Sequence, residues 1–275
     1  MTLSTIRNNP AKQKKVKTKK QKAIAATCAV AFWLLVWHVV SLCVGSELVL
    51  VSPVKVVQTL FTVIFDPDFL KTVWYSAARI LGGFFTALVL GTVLGWVASR
   101  FWVIETLLRP ITAVIKATPV ASFIILVLLW FSGKNLSVII SMLMVFPVIY
   151  MNVLEGIRSA DEKLLEMAQV FRLSASKKLL YIYLPAVAPF FVSACSVSLG
   201  LCWKSGIAAE VIGTPDGSVG AVFYQAKIFL QTSELLAWTV VVVAVSVAFE
   251  KLFMLLLRLI LKKLKMEDVL NGKRA

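Results

Sequence analysis

Ala23 to Val44 contains no charged side chain. At a helical rise of about 1.5 Å per residue it is long enough to cross a hydrocarbon layer about 30 Å thick. Five more apolar stretches follow, at about Val73–Ala98, Ile111–Phe131, Leu136–Leu154, Pro185–Trp203 and Leu235–Leu257. Lipid offers a backbone no water to bond, so stretches of this length must satisfy their own N–H and C=O groups as helices. An all-α, polytopic membrane protein with six transmembrane helices is the expectation. Composition agrees: 59% of the 275 residues are apolar and the mean hydropathy is +0.87, far from a soluble domain. A cleaved signal peptide is the alternative for the first stretch, but the run exceeds the usual apolar core of such peptides and no clear small-x-small site follows it.

Charge sets the expected orientation. The net charge of +15 would suggest nucleic acid in a soluble protein, but here the charges are confined to the ends and loops. Of the 29 Lys and Arg, only Lys55, Lys71, Lys134 and Lys227 fall in segments on the opposite side from both termini, while Arg79, Lys116, Lys204 and Lys251 lie in or beside spans. The positive-inside rule then puts both termini in the cytosol, as basic tails at 1–22 and 262–275 around a transmembrane domain at 23–261. Membrane lipid, not nucleic acid, is the partner of those tails.

Between the fourth and fifth spans lies the longest polar insertion, Glu155 to Leu184, expected in the cytosol. Ile157, Leu164, Leu165, Ala168, Phe171 and Leu179 recur among its charges at near-helical spacing, which reads as one or two short amphipathic helices. An acidic first part (Asp161, Glu162, Glu166) and a basic continuation (Arg172, Lys177, Lys178) suit a docking element; a solvated charged loop is the plain alternative.

The insertion resembles the cytoplasmic loop of bacterial ABC-importer permeases, whose pattern is Glu-Ala-Ala, three residues, Gly, nine residues, Ile-x-Leu-Pro. Glu166, Ala168, Ile182, Leu184 and Pro185 match it; Met167 stands for the middle Ala and Arg172 for the Gly that normally permits a tight turn between two short helices. Trp130-Phe-Ser-Gly, Pro147, Asn152, Leu199-Gly-Leu-Cys-Trp and Ala208-Ala-Glu-Val-Ile-Gly213 are similar to the nitrate, sulfonate, taurine and thiamine-precursor branch. The resemblance implies a permease subunit, usually a homodimer, served by two ATPase subunits and an extracytoplasmic solute-binding protein. It assigns ATPase coupling to Leu165, Glu166, Ala168, Phe171, Arg172, Ile182, Leu184 and Pro185. No Gly-x-x-x-x-Gly-Lys-Ser/Thr loop exists in the chain, so an ATPase would be a separate polypeptide.

Other candidates are sparser. Pro119 removes a backbone donor and disfavours helix at the residue before it, so Lys116 to Pro119 should break the third span. Gly91 and Gly95 make a small-xxx-small pair for close helix packing. Lys204 and Glu210 flank small residues at the expected outer end of the fifth span; Glu210 falls in the segment that the resemblance places near the outer gate, and Lys204 could attract an anion, while a structural pair or water-exposed end is the alternative. Val219–Leu230 could be a re-entrant or interfacial helix. Cys28, Cys43, Cys195 and Cys202 lie in apolar runs and His38 is the single histidine, so neither a metal site, a cofactor nor a hydrolytic triad is expected. An ion-coupled secondary transporter or a membrane scaffold protein are the competing readings; the first would need acidic or histidine relays that the spans largely lack.

Overall fold

The computed structural model describes residues 19–263, and among them every regular element is helical. The tails read at 1–22 and 262–275 fall almost entirely outside those residues. The chain divides into two units, one ending at Lys55 and the other beginning at Val56.

The first unit holds α1 (Lys19–Val44), whose described side chains, among them Trp33, Leu35 and Leu42, are exposed on nearly every side. A helix apolar all round matches a lipid environment rather than a water-facing surface. Gly45, in the left-handed conformation at φ +63, ends it.

The second unit is built on α3 (Phe69–Arg100), α6 (Gly133–Arg158) and α9 (Leu184–Gly213). Small residues bring them close. A Cβ at Gly91 would lie 3.0 Å from Ile149 of α6, and one at Gly95 would lie 3.0 Å from the Tyr150 carbonyl, so the predicted small-xxx-small pair is the α3–α6 contact. Ile80, Phe84, Val145, Ile149 and Leu199 are fully buried where the three helices meet. The long outer helix α11 (Thr232–Lys263) packs Phe253 edge-on against Phe84.

The third span is two helices. Trp102–Ala117 (α4) and Val120–Leu128 (α5) meet at 106°, with Thr118 extended at ψ 132 as its position before Pro119 requires. By length and composition five helices can cross a membrane, and six if this bent pair counts as one span. A short apolar helix, α2 (Pro53–Ile64), precedes α3, and the apolar Val219–Leu230 piece contains α10 (Val219–Ile228).

One boundary is corrected. The fifth span does not end at Trp203: α9 continues helically to Gly213 and stops at Thr214, which is left-handed at φ 41 and donates its N–H to the Glu210 carbonyl at 2.7 Å. Gly206 explains the extension, because its bare Cα lets Ile80 and the Ser141 hydroxyl close on this part of the helix.

Candidate functional site

The polar insertion folds as two short helices at one end of the spans. Asp161 caps the first, accepting the Lys163 N–H at 2.9 Å, and Glu162 complements its positive end. This helix, α7 (Glu162–Val170), ends in a Schellman motif: Leu173 N–H donates to the Ala168 carbonyl at 2.9 Å and Arg172 N–H to the Gln169 carbonyl at 3.0 Å. Arg172 takes the left-handed conformation, φ +48, that the motif asks of a glycine. The turn therefore forms despite the departure from Gly, at a cost of about 1 kcal/mol.

After the turn come α8 (Ala175–Lys178) and a π-helical stretch, Leu179–Tyr183, in which Leu184 N–H bonds back to the Leu179 carbonyl. Pro185 lies in the first turn of α9, where its missing donor is tolerated. The wider π turn brings the chain into α9 just ahead of that proline.

α7 has two apolar faces. Ala168 is fully buried and Leu165 half-buried; they pack with Ala160, Leu173 and Ile182 and anchor the helix to its own chain. Leu184 packs beside Ala188 and Leu261. The remaining apolar side chains, Leu164, Met167, Val170 and Phe171, turn outward beside this anchor, with Val170 and Phe171 the most exposed at 79% and 70%. Of the apolar residues that the resemblance assigns to coupling, Phe171 faces out, while Leu165 and Ala168 face in. Glu166 is exposed on the flank of the outward face. Leu164, Met167 and Val170 complete that face; the helical period allowed them, but only the packing of Leu165 and Ala168 against Ala160, Leu173 and Ile182 decides which side is free.

At the other end of the spans is a buried polar cluster. Glu210 is completely enclosed, and its Oε2 accepts the Ser76 hydroxyl at 2.6 Å and the Gly220 N–H at 3.4 Å. Ser76 in turn accepts the Val219 N–H at 2.9 Å, and Ser218 accepts the Ala221 N–H at 3.0 Å. The first three N–H groups of α10, unpaired in any helix, are therefore taken by side chains from α3, α9 and the cap itself. The carboxyl also lies at the positive end of α10. A Cβ on Gly220 would overlap Glu210, which explains the close approach. Nearby, Arg79 donates to Asn135 Oδ1 at 3.2 Å and lies over the Tyr75 ring.

This geometry separates the two residues read as a flanking pair. Lys204 is exposed on α9 while Glu210 is buried in the cluster, so they do not pair, and Lys204 sits within the helix rather than at its outer end. Ser76 and Ser137, the latter wholly buried beside the cluster on α6, carried no signal in the sequence. Lys116 and Pro119 are exposed at the bend of the third span. Lys116 Nζ lies 3.6 Å from Met151 Sδ, and with Arg109 and Thr112 it lines an open pocket of about 400 Å³.

Residues 87–266 match the family model of binding-protein-dependent transport system inner membrane components. The chain belongs to this family. It is a multi-pass membrane permease of an ABC importer, and its similarity falls in the nitrate, sulfonate and taurine branch. The permease is 30% identical to a protein of Bacillus subtilis (strain 168) named for aliphatic sulfonates transport, the permease SsuC, over 83% of each chain. It is 26% identical to the taurine transport system permease protein TauC of Escherichia coli K12, over 78% of this chain and 80% of that one. Against the nitrate import permease protein NrtB of Synechocystis sp. PCC 6803 the identity is 27%, over 74% and 76%.

Proposed function

We propose that the permease passes a small anion or zwitterion of the sulfonate, taurine or nitrate kind across the membrane as a homodimer, and that two separate ATPase subunits drive it through the outward face of α7. An extracytoplasmic binding protein delivers the solute to the α10 end of the spans. Both termini and the α7 end lie in the cytosol on this reading.

The observation that carries the coupling role is the exposure of Leu164, Met167, Val170 and Phe171 on a helix whose other face is already packed. Outside the spans such a face is unfavourable alone, since each large apolar side chain fully removed from water contributes about 1.5–3 kcal/mol. A groove on an ATPase would cover it, with Glu166 at its edge placed for a charge-assisted hydrogen bond. Because α7 is anchored through Ala168 and Ile182 near the start of α9, a push on it reaches that span directly. Leu184 and Pro185 transmit it by fixing the first turn of α9. Rigid-body movement of the spans would then exchange access between the two sides.

The solute class is supported by the relatives' names and by Arg109 and Lys116 in the open pocket beside the bend of the third span.

Co-expression of the permease with its ATPase and retrieval of the complex tests the reading. Phe171→Asp with Val170→Asp should abolish co-purification of the ATPase, while Lys177→Asp on the neighbouring turn should not. Equal recovery from both variants would reject α7 as the contact. The ligand retained by the purified binding protein tests the solute class; a cation would reject it.

A further inference from the structure

We propose that the cleft between the end of α3 and the α7–α8 segment is a binding site for the phosphate group of an anionic phospholipid. Its walls are Trp96 and Arg100 of α3, Leu165 and Gln169 of α7, Ala175 and Lys178 of α8, and Tyr183 of the π stretch, around about 270 Å³. Two cations from elements far apart in sequence converge on it. Among the described residues neither Arg100 nor Lys178 has a carboxylate within ion-pair distance. A guanidinium and an ammonium facing one cleft fit a phosphodiester, which takes the planar fork through two oxygens and the ammonium as a point charge.

The cleft also has an apolar side. Trp96 and Tyr183 meet edge-to-face at 5.6 Å and form one wall with Leu165, a surface suited to the glycerol and first acyl carbons. Exposed Phe101 and Trp102 directly follow Arg100, and exposed Tyr181 lies two residues before Tyr183. Exposed aromatics beside cations at the end of a span mark the depth of the headgroups, where a lipid phosphate is present at high local concentration. Free inorganic phosphate shares the charge but has no use for the aromatic wall. A lipid bound here would bridge α3 to α7; its effect on transport rests on the coupling role proposed for α7, whereas its binding does not.

The full-length permease in nanodiscs of equimolar phosphatidylglycerol and phosphatidylcholine tests this, read by native mass spectrometry of the lipid retained on release and by melting temperature. Wild type should retain phosphatidylglycerol preferentially and melt higher than in phosphatidylcholine alone. Arg100→Gln with Lys178→Gln should lower that retention about tenfold while leaving the melting temperature in phosphatidylcholine unchanged. A charge-matched control, Arg258→Gln with Lys263→Gln on α11, should keep it. Equal loss in both double variants, or no loss in either, would overturn the site. So would inorganic phosphate at millimolar concentration raising the melting temperature in phosphatidylcholine as far as phosphatidylglycerol does. A double variant that melts lower in phosphatidylcholine is replaced by Arg100→Lys, which keeps the charge and loses the fork; unchanged lipid preference in that variant together with Lys178→Gln would equally overturn it.

Discussion

Ser76 and Glu210 are separated by 134 residues, and the Ser76 hydroxyl donates to the Glu210 carboxylate at 2.6 Å with both side chains fully enclosed. The same serine oxygen accepts the Val219 N–H, so one hydroxyl ties α3, α9 and the start of α10 together. Removing it leaves a buried acceptor and a buried donor without their partner. Ser76→Ala should destabilise the permease by about 1–3 kcal/mol. Ser76→Thr, which keeps the hydroxyl, should cost less. Thermal melting of the purified variants checks the order.

The approach of α10 to α9 has its own test. Gly220→Ala forces a methyl into Glu210 and should displace α10, lowering both melting temperature and expression. Gly200, on α9, has open space around it, and Gly200→Ala should be neutral or stabilising by about 1 kcal/mol through helix propensity. Equal effects at the two positions would contradict the packing described for Gly220.

At the turn after α7, Arg172 holds a left-handed conformation that glycine adopts without steric cost. Arg172→Gly should therefore raise stability, by about 1 kcal/mol at most since glycine also loses more chain entropy on folding. Arg172→Val, with a branched Cβ at the same φ, should lower it. Melting curves of the two variants, compared with wild type, decide it; destabilisation by glycine would mean that the Arg172 side chain holds the turn through contacts of its own.

How far these features could be read from the residues depends on how local their causes are. Pro119 acts on the residue before it and on its own missing donor, so the break in the third span was legible, though not its 106° angle. Gly91 and Gly95 declare a close contact by spacing alone, without naming α6 as the partner. The turn at Arg172 ran against its own residue type and was held by the two backbone hydrogen bonds of the Schellman motif. By contrast, the end of α9 was misplaced because Ser205–Ala209 looks like a loop of small residues, when their smallness is what lets α3 and α6 approach. Ser76, Ser137 and Glu210 meet only through the tertiary fold, and no spacing within the sequence announces that. For α7, periodicity identified an amphipathic helix but could not tell the anchoring face from the free one.

That free face is the centre of the functional account, and Val170 is its most exposed apolar side chain on α7. In a background with Cys28 and Cys43 changed to Ser, Val170→Cys should react with a membrane-impermeant maleimide in inside-out vesicles and not in right-side-out vesicles. Adding the ATPase subunit to the inside-out vesicles should suppress the reaction, while Lys177→Cys stays reactive. Labelling of Val170→Cys from the outside, or full labelling with the ATPase bound, would contradict the account.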